Sequence, residues 1–176
     1  MRSLWFAWNG LETRTCQLAN RVNLNRLGST LFGTVSRLGD GVLWYVLMAV
    51  LPLVAGAQGL LLSARMAVTG AACTLLYKAL KEGIRRRRPC YMVQSLHTTV
   101  PPLDRFSFPS GHTMHAVAFT ALACASLPAL GWVLIPFTIL VAASRMVLGL
   151  HWATDVLAGA ALGYIVAAVS MRVWIV

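Results

Sequence analysis

Residues 106–144 read FSFPSGHTMHAVAFTALACASLPALGWVLIPFTILVAAS, a run of 39 residues without a single Asp, Glu, Lys or Arg. A helix crosses the hydrocarbon core of a bilayer with about 20 apolar residues, so this run is nearly two spans long. Pro128 and Gly131 interrupt it near the middle, where a turn is expected. The stretch therefore predicts a helical hairpin of two membrane spans, at about 111–127 and 131–148.

The composition of the whole chain is also that of a membrane protein. Hydrophobic residues make up 58% of the 176 residues and charged residues 11%, with a mean hydropathy of +0.70. Soluble domains carry about 25% charged residues, so neither a soluble globule nor a disordered chain is expected. Apolar stretches at 41–64, about 60–80 and about 152–173 predict three more spans. We therefore expect an all-α, polytopic membrane helical bundle of about five transmembrane helices.

Residues 1–40 differ from the rest of the chain, because no uncharged run among them reaches the length of a span. Charged residues alternate there with aromatic ones, including Trp5 and Trp8. This pattern predicts one or two amphipathic helices that lie at the membrane interface. We accordingly divide the chain into an N-terminal interfacial segment, 1–40, and a transmembrane domain, 41–176.

The charge of the chain is strongly positive, with 15 Lys and Arg against 5 Asp and Glu and a net charge of +10. In a five-span bundle, all basic residues except Arg65 and Arg172 fall on or near one side of the membrane. The positive-inside rule makes that side cytoplasmic, unless several of these residues are there for chemistry. Such an excess indicates basic loops or an anion site, and without a soluble basic domain we expect no nucleic-acid partner.

Three polar clusters are predicted to meet on this side of the membrane. The first cluster ends the second span and reads Lys81-Glu82-Gly83-Ile84-Arg85-Arg86-Arg87-Arg88-Pro89. It is either a basic anchor for anionic lipid headgroups or a phosphate-binding cluster. The second interpretation is possible because one guanidinium group can donate to two phosphate oxygens at once.

The second cluster, Pro109-Ser110-Gly111-His112, begins the third span. Ser110 suits an N-cap, and the free N–H groups and dipole at this end of a helix favour a phosphate. The alternative is that these residues only mark the start of the helix and bind nothing. His112 would stand within reach of a bound group, whereas His115, one turn further along, is expected to be a hydrogen-bonded membrane histidine.

The third cluster joins Ser144 and Arg145, at the end of the fourth span, to His151 and Asp155 at the start of the fifth. His151 and Asp155 are four residues apart and share a helix face. A carboxylate there would accept the Nδ1 proton of His151 and leave Nε2 free as a nucleophile. The alternative is a polar pair that satisfies itself inside the bundle, but ionisable groups at membrane depth are costly and indicate function.

Together, the three clusters resemble the type 2 phosphatidic acid phosphatase superfamily. The motifs of that family are Lys-x6-Arg-Pro, Pro-Ser-Gly-His and Ser-Arg-x5-His-x3-Asp. All eleven specified positions are matched in order and spacing, by Lys81, Arg88, Pro89, Pro109, Ser110, Gly111, His112, Ser144, Arg145, His151 and Asp155. The resemblance spans residues 81–155, does not cover 1–40, and is nearest to the small bacterial lipid phosphatases of the family.

The resemblance implies a role for each of these residues. His151 would attack phosphorus and form a phosphohistidine, with Asp155 orienting its imidazole. His112 would protonate the leaving oxygen and then take a proton from the water that cleaves the intermediate. The phosphoryl oxygens would be held by Lys81, Arg88, Ser110, Gly111 and Arg145. Because these cations already stabilise the charge of phosphoryl transfer, no metal and no other cofactor are expected.

A phosphatase inside a bilayer is expected to act on a lipid phosphate. The candidates are undecaprenyl diphosphate, phosphatidylglycerol phosphate and phosphatidic acid. A lipid phosphotransferase on the same site and a non-catalytic anion-binding membrane protein are the alternatives. The resemblance implies the bacterial cytoplasmic (inner) membrane, with the active site on its periplasmic or outer face. The arginines outside the motifs, Arg85, Arg86, Arg87 and Arg105, are expected to contact anionic lipid or, as the alternative, a second phosphate or a glycerol phosphate.

Overall fold

The computed structural model describes residues 2–173, the side chains of 2–9 excepted, so Trp5 and Trp8 lie outside the described side chains. The helices are α1 Arg2–Asn20, α2 Arg26–Arg37, α3 Leu43–Ile84, α4 Pro89–Met92, α5 Gly111–Ser126, α6 Gly131–Val147 and α7 Ala153–Val173. Shorter turns are the 3₁₀ turns Arg21–Leu24 and Pro128–Leu130 and the π turn Leu38–Val42. The described residues form no β-strand, which confirms the all-α prediction.

Helix α3 is a hairpin and not one straight rod. Gly56 has non-helical backbone angles (φ 55°, ψ −132°), and the chain folds back there. The Ser63 hydroxyl donates to the carbonyl of Met48 at 2.8 Å, although a straight helix of that length would separate them by about 22 Å. The two arms, 43–55 and 57–84, therefore run side by side.

This reversal changes the boundaries of the first two predicted spans, 41–64 and about 60–80. The first arm ends at the reversal, nine residues before the end of the predicted span. The apex of the hairpin, Val54-Ala55-Gly56-Ala57, carries no charged residue, and so composition alone extended the first span across it. A glycine with positive φ is what permits the turn.

The predicted pair of helices with a turn between them over residues 106–144 is confirmed, while α5 as a membrane span stays a prediction. Helix α5 ends at Ser126, a 3₁₀ turn covers Pro128–Leu130, and α6 begins at Gly131. By length and apolar composition, three helical stretches among the described residues could cross a membrane, namely Arg26–Ile84, Pro128–Val147 and Ala153–Val173. The first of them contains the reversal in α3. The chain is therefore a multi-pass membrane bundle, while the number of five spans stays a prediction.

Helices α5 and α7 pack closely against each other in the bundle. A side chain at Gly159 would lie 2.5 Å from the carbonyl oxygen of Ser110, and one at Gly163 would lie 2.3 Å from that of Met114. Glycines at this four-residue spacing let two membrane helices approach until their backbones touch. The contact fixes the start of α5 near the start of α7, where two of the three motifs lie.

Helix α1 packs against the rest of the bundle along one face. Glu12, Cys16 and Asn20 are all buried, and their four-residue spacing places them on that face. The side-chain amide of Asn20 donates to the carbonyl of Val147, at the end of α6, at 2.8 Å. The N-terminal segment was predicted to lie at the interface, and the structure adds that α1 covers one side of the polar cluster.

Candidate active site

His151 lies in the short loop between α6 and α7 and is 1% exposed. Its Nδ1 atom donates to the carbonyl oxygen of Ser107 at 2.7 Å, which places the proton on Nδ1 and leaves the lone pair on Nε2. Burial, together with the positive charges of three nearby side chains, lowers the pKa of His151 well below its ordinary value. The imidazole is therefore neutral at neutral pH, as a nucleophile must be.

Asp155 does not bind His151 in the way that the spacing predicted. Its Oδ2 atom lies 3.7 Å from Nδ1 of His151, beyond hydrogen-bonding distance, because the Ser107 carbonyl occupies that position. Oδ2 accepts instead from the backbone N–H of Trp152 at 2.8 Å, and Oδ1 accepts from Arg86 at 2.7 Å. The two residues lie close together, but they share no helix face, because His151 precedes α7 in the loop, and the partner of Nδ1 comes from a distant loop.

Arg86 connects Asp155 to helix α1. Its guanidinium donates to Asp155 from Nη1 and to Glu12 from Nη2, and Glu12 also accepts from the hydroxyl of Thr154. Both carboxylates are buried, so each of them needs a counter-charge that Arg86 supplies. Arg86, which was expected to contact lipid or a phosphate, therefore binds two carboxylates of the protein itself.

Lys81 and Arg88 are both buried, and both bind Asp104, a residue in the loop before α5. The Nζ atom of Lys81 lies 2.5 Å from Oδ2 of Asp104, and Nη2 of Arg88 donates to Oδ1 at 2.6 Å. Burial raises the pKa of Asp104, but the hydrogen bonds and charges of these two cations outweigh it and lower that pKa below its ordinary value. The cations predicted to bind phosphate therefore converge on one ionised carboxylate.

Arg88 also reaches the predicted nucleophile. Its Nη1 atom donates to the carbonyl of Leu150 at 2.7 Å and lies 3.1 Å from Nε2 of His151. Because Nδ1 of His151 carries the proton, Nε2 accepts from this guanidinium. A group that binds Arg88 is thereby placed directly beside Nε2, the unprotonated ring nitrogen of His151.

Arg145, in the last turn of α6, is 2% exposed and lines the same cavity. Its Nη1 atom donates to the hydroxyl of Ser36 in α2. Its Nε–H is buried and has no hydrogen-bond partner within the part of the chain that the structure describes. Buried N–H groups are rarely left without an acceptor, and the oxygen of a bound anion would satisfy this one.

Ser110 and Gly111 begin α5, as predicted. The Ser110 hydroxyl accepts from the backbone N–H of Thr113 at 3.5 Å, and its own N–H donates to the carbonyl of Asp155 at 3.0 Å. Both polar groups of Ser110 are thus used to hold the start of α5, and the residue is fully buried. Gly111 lines the cavity, so of the two residues it is the one that meets the open space.

His112 lines the same cavity, and its Nε2 atom lies 3.1 Å from Oδ1 of Asp40. Asp40 belongs to the π turn before α3, outside the three motifs. His115 is bonded through Nδ1 to the carbonyl of Gly111 at 2.9 Å, which agrees with its interpretation as a hydrogen-bonded membrane histidine.

These side chains surround one cavity of about 920 Å³. Its polar end is formed by Lys81, Arg88, His112, Arg145 and His151. Its remaining wall is mostly apolar and comes from both arms of α3 and from α5, with Trp44, Met48, Met66, Ala67, Ala71 and Phe119. Along α3 the rise from Lys81 to Met66 is about 22 Å, a large part of the roughly 30 Å of hydrocarbon in a bilayer.

Four residues that the sequence analysis did not select bind predicted site residues directly, namely Ser36, Asp40, Asp104 and Ser107. Glu12 reaches Asp155 only through Arg86. No spacing marks them, because each reaches its partner only through the fold. The one available signal is scarcity: the chain has only five acidic residues, and buried cations need counter-charges. Among the described residues, no group of three or more His, Cys, Asp and Glu side chains could hold a metal ion.

Comparison with known proteins agrees with this geometry. The PAP2 superfamily is matched over residues 58–175, which are 118 of the 176 residues and include all three motifs. The chain therefore belongs to the PAP2 superfamily, and the resemblance of its motifs is confirmed. It is a membrane-embedded enzyme of the phosphatase class.

Two solved structures share the fold. The first, described as the first transmembrane PAP2 type phosphatidylglycerolphosphate phosphatase from Bacillus subtilis, is 26% identical with a TM-score of 0.75, over 95% of this chain and 86% of that one. The second, Aquifex aeolicus LpxE, is 22% identical with a TM-score of 0.76, over 88% of this chain and 93% of that one. The all-α bundle is therefore a known membrane fold.

Proposed function

We propose that the chain is an integral membrane lipid phosphatase, which hydrolyses a phosphate monoester or diphosphate of a lipid through a phosphohistidine. The observation that carries this proposal is the cavity, whose cationic end with a neutral histidine continues into an apolar compartment. A lipid phosphate has the same division between an anionic headgroup and a hydrocarbon tail. The name of the Bacillus subtilis relative supports the same class of substrate.

In the first step, Nε2 of His151 attacks phosphorus, and the ester P–O bond breaks as the N–P bond forms. Ser107 holds the proton on Nδ1, and Asp155 stabilises the positive charge that the ring acquires. The phosphoryl group takes the place of the Asp104 carboxylate between its two cations. Its oxygens are bound by the three cationic side chains, Lys81, Arg88 and Arg145.

In the second step, His112 has given its proton to the leaving oxygen and accepts one from water as the water oxygen attacks phosphorus. The N–P bond breaks, and inorganic phosphate leaves His151 in its neutral form. Ser110 and Gly111 contribute the start of α5, whose dipole favours the anion. The scheme uses no metal, because the fixed cations supply the charge stabilisation that a metal gives in other phosphoryl transferases.

The candidate substrates stay undecaprenyl diphosphate, phosphatidylglycerol phosphate and phosphatidic acid. A lipid phosphotransferase on the same site would differ only in the acceptor, a lipid hydroxyl in place of water. A non-catalytic anion-binding protein would need no oriented nucleophile, and the Ser107 contact to His151 favours the catalytic proposals over it.

The test is phosphate release by the purified protein in detergent, with EDTA present, from each of the three lipids. His151→Ala should abolish release, whereas His97→Ala, which removes an exposed histidine of the loop before α5, should leave it intact. Release that requires a divalent metal would overturn the mechanism. Transfer of phosphate to a lipid hydroxyl without free phosphate would establish the phosphotransferase instead.

The apolar compartment provides a second test of the lipid assignment. Ala71 lines the cavity, while its neighbour Ala72 is exposed and does not. Ala71→Leu should raise the KM of a long-chain lipid phosphate and leave that of a short-chain ester nearly unchanged. Ala72→Leu is the matched control, and equal effects of both substitutions would contradict a tail in this compartment.

We place the protein in the bacterial cytoplasmic (inner) membrane, with the active site on the periplasmic or outer face. In support, the motif cations are explained by chemistry and so do not count as topology signals. The exposed residue Thr98 lies in the loop on the side of the site. In intact cells, Thr98→Cys should react with an impermeant maleimide while the parent chain does not, and labelling only after lysis would reverse the assignment.

A further inference from the structure

We propose that Asp40 is a positioning residue for His112, so that a carboxylate outside the PAP2-matched residues completes the proton-transfer site. The inference rests on the proposed function, which makes His112 the proton donor. Its basis is the 3.1 Å contact between Oδ1 of Asp40 and Nε2 of His112, in the wall of the cavity that holds His151.

The backbone around Asp40 is built to present this side chain. Leu38–Val42 form a π turn, an interruption of helical structure that occurs frequently at functional sites. Within it, Gly41 has φ 132°, a conformation that larger residues rarely adopt. The carbonyl of Gly39 accepts a hydrogen bond from Nε1 of Trp44 at 3.2 Å. A Cβ atom at Gly39 would lie only 2.8 Å from the side chain of Val141 in α6, so the turn packs closely against that helix. The turn is therefore held in place on both sides of Asp40.

A second contact comes from the same part of the chain. Ser36, one turn before Asp40, accepts from Nη1 of Arg145. The segment 36–40 thus contacts two motif residues, one predicted to bind phosphate and one predicted to transfer protons. Two contacts from five residues make this segment a wall of the active site.

The surroundings of His112 explain why it needs a carboxylate. Its ring faces two cations, Lys81 from α3 and Arg145 from α6, and two further histidines, His115 in α5 and His151 in the loop before α7. Positive neighbours favour the neutral imidazole, whereas a general acid must keep its proton until the leaving group departs. Among the described residues, Asp40 is the carboxylate that contacts His112, and its negative charge favours the protonated ring.

The contact also assigns the two ring nitrogens of His112. Nε2 lies beside the Asp40 carboxylate, which favours a proton on that nitrogen, so Nδ1 is assigned as the nitrogen that exchanges protons. In the first step the Nδ1–H bond breaks as an O–H bond forms on the leaving oxygen, and the ring becomes neutral. In the second step the attacking water returns a proton to Nδ1. Asp40 remains ionised throughout and keeps one tautomer, as the carboxylate of a serine protease triad does.

The test compares Asp40→Asn with the wild type on two kinds of ester. With a lipid alkyl phosphate, kcat should fall about 10- to 100-fold, part of the 10²–10⁴-fold that general acid catalysis supplies, while KM changes less than about twofold. With p-nitrophenyl phosphate the loss should be much smaller, because that leaving group departs without a proton. Arg14→Gln, which removes an exposed charge outside the cavity, is the control and should leave both rates unchanged.

Two further measurements distinguish a lost contact with His112 from misfolding of the Asp40→Asn variant. Asp40→Glu retains the charge and should recover part of the lost kcat. The ring ¹⁵N resonances of His112 should show a proton on Nε2 in the wild type and a mixture of tautomers in Asp40→Asn, whether or not substrate turns over. Unchanged kcat, equal losses on both esters, or identical ¹⁵N resonances would each overturn the proposal. Resonances that change in a protein releasing no phosphate would support the Asp40 pair and refute the proposed function instead.

Discussion

Two regions of the chain build the site, and they differ in how far the sequence reveals them. Residues 81–155 contain every motif position, and their chemistry is evident from residue type and spacing. Residues 10–42 contain no motif, yet Ser36 and Asp40 contact motif residues, and Glu12 binds Arg86, the partner of Asp155. The difference teaches that reacting groups follow a pattern along the chain, whereas their counter-charges are placed by the fold.

The largest expected effect is a loss of activity in Arg145→Leu, which is compared with the loss in a variant of its partner Ser36. Arg145→Leu removes a cation predicted to bind the phosphoryl group and should lower kcat/KM by about 10²–10⁴-fold. Ser36→Ala removes only one hydrogen bond to that cation and should cost less than about tenfold. Steady-state kinetics on the preferred lipid measures both, and equal losses would mean that the N-terminal region is as catalytic as the motifs.

Neighbouring arginines provide the next test. Arg86→Ala leaves two buried carboxylates without their counter-charge and should lower the stability by about 2–3 kcal/mol, together with a loss of activity. Arg87→Ala removes an exposed side chain and should change the stability by less than about 0.5 kcal/mol. The melting temperatures of the two variants in detergent are compared. Equal shifts in melting temperature would mean that Arg86 contributes no more to stability than an exposed arginine that contacts lipid.

The pH dependence of kcat/KM sharpens the role of the motif region. Since the pKa of His151 is lowered well below its ordinary value, the neutral nucleophile persists as the pH falls below that value. Activity should therefore be retained at pH 6 and be lost only in more acidic buffer, when His151 takes up a proton. An acid limb near the ordinary pKa of histidine, about 6.5, would show that the ring is not buried among cations.

The smallest expected effect concerns Cys16 in α1. Burial, with the negative charges of Glu12 and Asp155, raises the pKa of this thiol to about 12. At pH 8 only about one part in 10⁴ is thiolate, so a maleimide should leave Cys16 unmodified while it labels an introduced Thr98→Cys. Mass spectrometry of the labelled chain provides the readout. Rapid modification of Cys16 would show that α1 does not pack against the site, and that residues 10–42 contribute less to it than the structure indicates.

The fold was predictable where charge and turn residues marked it. The hairpin of α5 and α6 followed from an uncharged run with Pro128 and Gly131 at its centre. The reversal at Gly56 was not predictable, since its neighbours are as apolar as the helices on either side. Hydropathy reports what a segment prefers as solvent, and it does not report where a segment of that kind turns.

The site was predictable to the extent that one helix or one short loop contains it. His151 and Asp155 were correctly predicted to lie close together, although His151 precedes α7 and the two share no helix face. The Ser107 carbonyl that binds His151, and the Asp104 carboxylate between Lys81 and Arg88, come from a loop whose path only the packed structure defines. Backbone carbonyls also have no residue type of their own, so sequence reasoning could not select Ser107.

The placement of the acidic residues has a consequence for how substrate arrives. Four of the five contact the cations and histidines of the site, which leaves only Glu82, an exposed residue 3.9 Å from Arg85. The charged residues outside the site are consequently almost all cationic. Their field extends about 8 Å in physiological salt and draws anionic lipids along the bilayer plane. Each lipid product carries less negative charge than its substrate, so the field that gathers the substrate retains the product less strongly.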